Sequence, residues 1–402
     1  MSYFNLKQQV ALARSLVTKT SPAYVQFYIT ARCNLACEQC NIIYADANAQ
    51  EMNIDQIRAM AENMARIGVC IVLLIGGEPF VRKDLPEIVK AFSDVGIHVR
   101  LQTNGLATRK AVEACITNGA HDISISLDSL RPNLQETING GFTKSWDRAI
   151  DTMAMVNDIF PDTGTAFFNS VLMPRNMNDI PDVVRFGKEI GWGMSLVPVH
   201  VATSDDPRGY RTLVDTDVVT FTPEQYPEVR RVIETLKTMK RDGYYLYDSD
   251  QYLEDIYRFV TGQPIEWRKR NGGVCDSPNL YFAVAPNGNM KVCCDYELDT
   301  AYPVYHPDFP EWYYGGRIHD DVYRYTRACD GCMYGSYPEI TISARYLEAM
   351  LERFVYFNVA PPKLKKITGA EMREIAREIA NASGNLVSPP PAAVIPAKSL
   401  AG

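Results

Sequence analysis

Between Tyr24 and His200 a short apolar run is followed by an amphipathic helical stretch six times over, the pattern of parallel βα units. The expected strands are 23–30, 69–75, 97–103, 122–128, 165–172 and 194–199. Between them apolar residues recur every three or four positions, with Ile54, Ile57, Ala61 and Met64 in one stripe and Leu85, Ile88, Val89 and Phe92 in another. Asp84 with Glu87 three residues later has the form of a capping box, and Asn118-Gly119 supplies a helix stop. Six units are too few to close the standard eight-unit barrel. The expected fold class is therefore α/β, a partial (β/α)6 TIM-like barrel over 23–202 with an open lateral mouth, followed by a small α+β domain.

Strand polarity says where a ligand would go. In Asp122-Ile-Ser-Ile-Ser-Leu-Asp128 the apolar Ile123, Ile125 and Leu127 share one face and Ser124, Ser126 and Asp128 the other. Helices cover the outside of such a barrel, so the polar face lines the interior. The third strand repeats this, with Ile97, Val99 and Leu101 outward and His98, Arg100, Gln102 and Asn104 inward. Parallel barrels build their sites at the carboxyl ends of strands. Glu78, Asn104 and Asp128 occupy such ends, with Asn169 and His200 as further candidates.

Three cysteines follow the first strand in the run Cys33-Asn-Leu-Ala-Cys37-Glu-Gln-Cys40. Three thiolates can hold three irons of a 4Fe-4S cluster and leave the fourth iron open, whereas an ordinary electron-carrying cluster has four cysteines. A zinc knot is the plain alternative, but structural zinc needs four ligands and the next histidine after Cys40 is His98. The spacing C-x3-C-x2-C, followed in order by Gly76-Gly77-Glu78-Pro79, resembles the signature of the radical S-adenosylmethionine (SAM) superfamily. The resemblance implies a cluster with an open iron that chelates SAM, and reductive cleavage to a 5'-deoxyadenosyl radical. It implies that Gly76, Gly77, Glu78 and Pro79 hold the methionyl amino group, that Ser126 and Asp128 contact the ribose, and that Asn104 lies near the cofactor. A strand-end asparagine is equally a helix cap. One departure is Gln39, where that family often has an aromatic residue near the adenine.

Five more cysteines follow: Cys275, Cys293, Cys294, Cys329 and Cys332. The segment 280–293 reads as a β-hairpin turned by Pro286-Asn287-Gly288, which would bring Cys275 and Cys293 together. C-x12-G-x4-C followed by C-x2-C resembles the front of a SPASM or twitch domain, and implies an auxiliary 4Fe-4S cluster on Cys275, Cys293, Cys329 and Cys332. Taken alone, these four suit zinc as well. Cys294, Cys70 and Cys115 read as buried thiols. A fully ligated second cluster suits electron transfer, so the expected activity is a radical SAM oxidoreductase fed by a reducing flavodoxin or ferredoxin. The aromatic residues of 302–325 either wall a substrate pocket or shield the cluster. They favour a tetrapyrrole side chain as substrate, with a peptide as the alternative. An iron-sulfur electron carrier is the rival without catalysis.

A net charge of -7 in 402 residues excludes a broad nucleic-acid footprint. The longest apolar stretch, 69–75, is too short to span a bilayer, and the start has no secretory pattern, so a cytoplasmic protein without disulfides is expected. Leu6, Val10, Ala13 and Val17 repeat at helical spacing, on a core-packing helix rather than a membrane-surface one, because few basic residues flank them. The expected divisions are an N-terminal helix at 1–22, the barrel, a connecting region at 203–266 with helices at 223–241 and 248–262, the auxiliary domain at 267–340, helices within 341–382, and a disordered tail at 383–402.

Overall fold

The computed structural model describes residues 4–40, 50–199, 219–269, 275–294, 296–329 and 331–383. His200, the start of the connecting region and residues 384–402 of the expected tail lie outside the described residues. Strands β1 (Tyr24–Tyr28), β2 (Ile71–Ile75), β3 (His98–Thr103), β4 (Ala120–Ser126), β5 (Thr165–Leu172) and β6 (Gly193–Pro198) occupy the six expected places. They are linked by α2 (Ile54–Ile67), α3 (Leu85–Asp94), α4 (Arg109–Thr117), α5 (Pro132–Ile138), α6 (Ser145–Ile159) and α7 (Ile180–Ile190). All six strands run parallel, in the order β6-β5-β4-β3-β2-β1. Val72, Leu74, Val99, Leu101, Ile123 and Ile125 pack outward into the main core, which leaves the polar alternates inside.

The auxiliary hairpin is not set apart from this sheet. Strand β7 (Tyr281–Val284) pairs parallel with β1, and β8 (Met290–Lys291) pairs antiparallel with β7, giving eight strands among the described residues. At the other edge Met194 of β6 exchanges backbone hydrogen bonds with Tyr245 and Tyr247 at 2.8 Å each. Each margin of the six-stranded unit thus meets a neighbouring segment, along β1 by a full strand and at β6 by a single bridge.

Two local expectations fail. The first concerns α1 (Leu6–Thr18), where Leu6 is 76% and Val17 83% exposed, with Val10 and Ala13 outward too. The packed face is Ala11, Leu12 and Leu16, against the cluster of Tyr24, Cys70 and Ile340. Ser15 is buried on the same side and tied to Ser21 at 2.9 Å. The second concerns Asp84, which sits at the N-cap of α3 but whose side chain accepts no helix N–H. The Arg82 guanidinium claims it at 2.9 Å and also donates to the Ile29 and Met52 carbonyls. A buried guanidinium needs acceptors more than an exposed helix end does.

After the barrel come α8 (Tyr226–Arg241), α9 (Asp250–Val260), α10 (Glu266–Lys269), α11 (Phe309–Tyr314), α12 (Arg317–Ala328), α13 (Tyr337–Arg345), α14 (Leu347–Asn358) and α15 (Gly369–Ala382). Helix α15 lies on α6, where Arg373 bonds Asp147 at 2.8 Å and Asp151 at 2.7 Å. Among the described residues no helix is long and apolar enough to cross a membrane.

Candidate active site

The loop after β1 is held from beneath. Thr30 donates to Glu51 at 2.5 Å, and Arg32 forms two bonds of 2.9 Å to the same carboxylate. Gly77 N–H donates to the Thr30 carbonyl and Glu78 N–H to that of Arg32, at 2.8 Å each. This backbone pairing is why Gly76 and Gly77 are glycines, since a Cβ at either would collide with the Thr30 or Arg32 carbonyl. Cys33, Cys37 and Cys40 are carried on the segment thus anchored.

These cysteines line a cavity of about 250 Å3 inside the barrel. Gly76, Gly77, Glu78, Asn104, Ser126 and Asp128 line it too, so six of the seven expected cofactor residues meet there. Pro79 is not part of the lining; it is buried in the turn that follows. Glu78 is 1% exposed and accepts from Thr103 Oγ1 at 2.8 Å, Asn104 N–H at 2.7 Å and Phe80 N–H at 3.0 Å. Burial nonetheless pushes its carboxyl up to about 7. Asn104 does not cap α4, a role taken by Thr108; its amide donates to Asn34 at 2.7 Å and lies 3.9 Å from Cys33 Sγ.

Asp128 is equally buried, its carboxyl raised to about 7 by burial, and accepts from Val171 N–H at 2.7 Å and from Gln39 Nε2 at 3.1 Å. Gln39 Oε1 is buried with no hydrogen-bond partner. Gln26, Asn139 and Ser195 also line the cavity and were not read from sequence. Gln26 had a legible signal, an amide alone in an otherwise apolar and aromatic strand.

Burial lifts the Cys33 thiol to about 11, and Cys37 well above the usual thiol range. Their thiolates need a cation nearby, which suits a metal centre. Among the described residues no three Cys, His, Asp or Glu side chains converge as they would on a single ion. Yet Cys33, Cys37 and Cys40 are close enough for each to disfavour ionisation of another. Three neighbouring thiols on one cavity wall, with an orphaned buried amide oxygen in the same lining, fit a polynuclear cluster with a polar ligand beside it.

In the second set, burial raises Cys275 to about 12, with Cys293 and Cys329 close enough to add to the rise, and Tyr281 lies near both Cys275 and Cys332. Ser277 Oγ donates to the Val292 carbonyl at 2.8 Å, fastening the Cys275 segment to that of Cys293. Cys294, read from sequence as a buried thiol, is buried and also lines the main cavity together with Tyr334, Gly335 and Ser336. The aromatic residues of 302–325 do not line it; Tyr302, Phe309 and Tyr313 belong to the hydrophobic core.

Residues 27–187 match the radical SAM superfamily. A probable GTP 3',8-cyclase of Methanocaldococcus jannaschii is 30% identical over 186 residues, 45% of this chain and 60% of that protein. A PqqA peptide cyclase of Bradyrhizobium diazoefficiens is 29% identical over 42% of this chain and 44% of its own length. An AdoMet-dependent heme synthase of Methanosarcina barkeri is 29% identical over 42% and 48%. The chain thus matches only about half the length of these curated relatives. In structure it resembles SuiB of Streptococcus suis, with TM-score 0.57, 17% identity and coverage of 78% of this chain and 71% of SuiB. It also resembles anSMEcpe with bound AdoMet and the Cp18Cys peptide, with TM-score 0.54, 14% identity and coverage of 91% and 100%. At these identities the likeness concerns the fold, a parallel α/β sheet of TIM-like type. Cysteine spacing, strand topology and sequence matches converge, and residues 27–187 of this chain are a domain of the radical SAM superfamily, whose members use a 4Fe-4S cluster and SAM.

Proposed function

We propose that this chain is a radical SAM oxidoreductase that acts on a peptide side chain. Cys33, Cys37 and Cys40 would hold the cluster with the open iron, and the adjoining cavity would take SAM. When bound, the two together supply a 5'-deoxyadenosyl radical able to take hydrogen from an unactivated carbon. Glu78, oriented by Thr103 and Asn104, would receive the methionyl amino group. Ser126 and Asp128 would face the ribose hydroxyls. Cys275, Cys293, Cys329 and Cys332 would hold an auxiliary cluster with no position left for substrate, which favours net oxidation over isomerisation.

One observation carries this reading. The cavity is lined both by the three N-terminal cysteines and by Cys294, next to Cys293, and Tyr334, two residues beyond Cys332. A substrate held there lies within reach of both thiol sets. Its lining of Gln26, Gln102, Asn169, Ser195 and Ser336 suits amides and hydroxyls better than the flat apolar faces of a tetrapyrrole. Peptide-acting proteins among the relatives and structural neighbours support the same choice. A tetrapyrrole substrate remains the second reading, favoured by the similarity to an AdoMet-dependent heme synthase.

Anaerobic reconstitution, with a reduced flavodoxin or ferredoxin as electron donor, tests this. The expected result is about eight irons per chain, as two four-iron clusters require, release of 5'-deoxyadenosine, and transfer of deuterium into it from a side-chain-labelled peptide. Zinc at either site, or a fourth protein ligand on the first cluster, would sink the reading.

A further inference from the structure

Helix α14 turns its apolar face to the outside. Only Ala349 and Tyr356 of its twelve residues are buried. Leu347, Met350, Leu351, Phe354 and Val355 recur at the spacing of a single helix face, Val359 follows, and all six are between 38% and 67% exposed. A helix of a globular protein ordinarily lays such a stripe on its own core.

This one cannot rotate to do so, because its other face is already committed. Tyr356 stacks on Phe167 with ring centroids 6.1 Å apart. Arg353 lies 4.3 Å over the Tyr247 ring and bonds the Tyr247 hydroxyl. Glu352 is engaged by Lys240 and by Asp250 N–H. The outward stripe is thus a fixed feature of the folded chain.

Its size says what covers it. Six such side chains leave on the order of 600 Å2 uncovered, at the upper end of the largest patch on a typical monomer and approaching the roughly 800 Å2 per partner of a standard interface. Phe4, just ahead of helix α1, packs on Phe357 of α14, 6.4 Å between centroids. The charges around the stripe favour a second copy over a lipid surface. Glu348 is exposed in the first turn of α14, while Lys363 and Lys366 are exposed five and eight residues beyond its end, and Lys365 between them pairs with Glu189 at 3.8 Å. Antiparallel pairing of two such helices sets the acidic start of each toward the basic exit of the other. An anionic membrane would instead meet Glu348 and a chain of net charge -7.

We propose that α14 forms the interface of a two-fold homodimer, packed antiparallel on α14 of a second copy, with Glu348 of each chain directed toward Lys363 and Lys366 of the other. The interface is isologous, so it closes on itself and forms no filament.

Light scattering on the full-length chain after size exclusion tests this. The wild type is expected at twice the 45.2 kDa chain mass, and Phe354→Glu or Leu351→Glu at the single mass with an unchanged circular dichroism spectrum. Both positions are exposed within one chain, so folding is not at stake. Glu348→Lys is expected to weaken dimerisation about tenfold, the effect of losing one exposed ion pair in each half-interface. Combining it with Lys363→Glu and Lys366→Glu is expected to restore the dimer. A wild type of single-chain mass overturns the proposal, as does a dimer indifferent to Phe354→Glu. Flotation of monomeric wild type with phosphatidylcholine-phosphatidylglycerol vesicles, lost in Phe354→Glu, overturns it in favour of lipid. Failure of the charge swap to restore the dimer overturns the antiparallel arrangement.

Discussion

Gln39 and Asp128 are joined across the cavity, the amide of one donating to the carboxylate of the other at 3.1 Å, although 89 residues separate them in the chain. The amide orients the carboxylate and leaves its own Oε1 buried and unsatisfied. Replacing Gln39 with Leu removes the donor. In cluster-loaded protein, the dissociation constant for SAM, read by calorimetry, is expected to rise about tenfold, as one lost hydrogen bond of ~1.4 kcal/mol would give. Unchanged affinity would show that the pair serves only the apo fold.

Glu78 ties the end of β2 to the end of β3. In Glu78→Gln, an NH2 group would replace one acceptor opposite either Asn104 N–H or the donors at the other oxygen. Leaving a buried donor unpaired costs ~1–3 kcal/mol. A lower melting temperature and loss of SAM binding are both expected. Retained SAM binding would remove Glu78 from the proposed site.

The adjacent thiols Cys293 and Cys294 separate by iron content. Serine at Cys275, Cys293, Cys329 or Cys332 is expected to remove about half of the iron, because one of two four-iron clusters loses a ligand. Cys294→Ser is expected to keep the full iron complement and to alter only reactions of bound substrate. Loss of iron in Cys294→Ser with none in Cys293→Ser would exchange their roles.

Asp248 and Glu339 make stability depend on pH. Burial raises the Asp248 carboxyl to about 7, and burial with the nearby Asp248 charge raises Glu339 well above the usual carboxylate range. The folded chain then holds more protons than the unfolded one above about pH 4. Their contribution is full below the unfolded pKa and is lost as pH rises through the folded values, by on the order of a few kcal/mol. Urea midpoints of wild type and Glu339→Gln measured from pH 5 to pH 8 check this: the wild type should lose more. Parallel curves would refute it.

Much of this architecture is readable from residue order alone, and for a definite reason. Period-two alternation in β3 and β4 reports which side chains face inward, so Gln102, Ser126 and Asp128 are identified by arithmetic on the chain. Local patterns do not report competition between partners. Asp84 has the spacing of a cap and loses that role to Arg82, which only the fold brings against Ile29 and Met52. Helix α1 carries two apolar faces, and nothing within the helix says that Ala11, Leu12 and Leu16 would be the buried one. Cys294 reads as a spare thiol because its place on the cavity wall follows from β7 joining β1, a pairing with no local trace.

That pairing also sets the order of events during synthesis. Tyr24 finds its neighbour Tyr281 only after more than two hundred and fifty further residues have been made. At ~5–20 residues per second, the first strand waits roughly ten to fifty seconds with one side unclaimed. Through that interval the nascent N-terminal half presents an open flank to any other extended segment nearby, so truncating the gene before residue 281 should give aggregates and not a smaller enzyme.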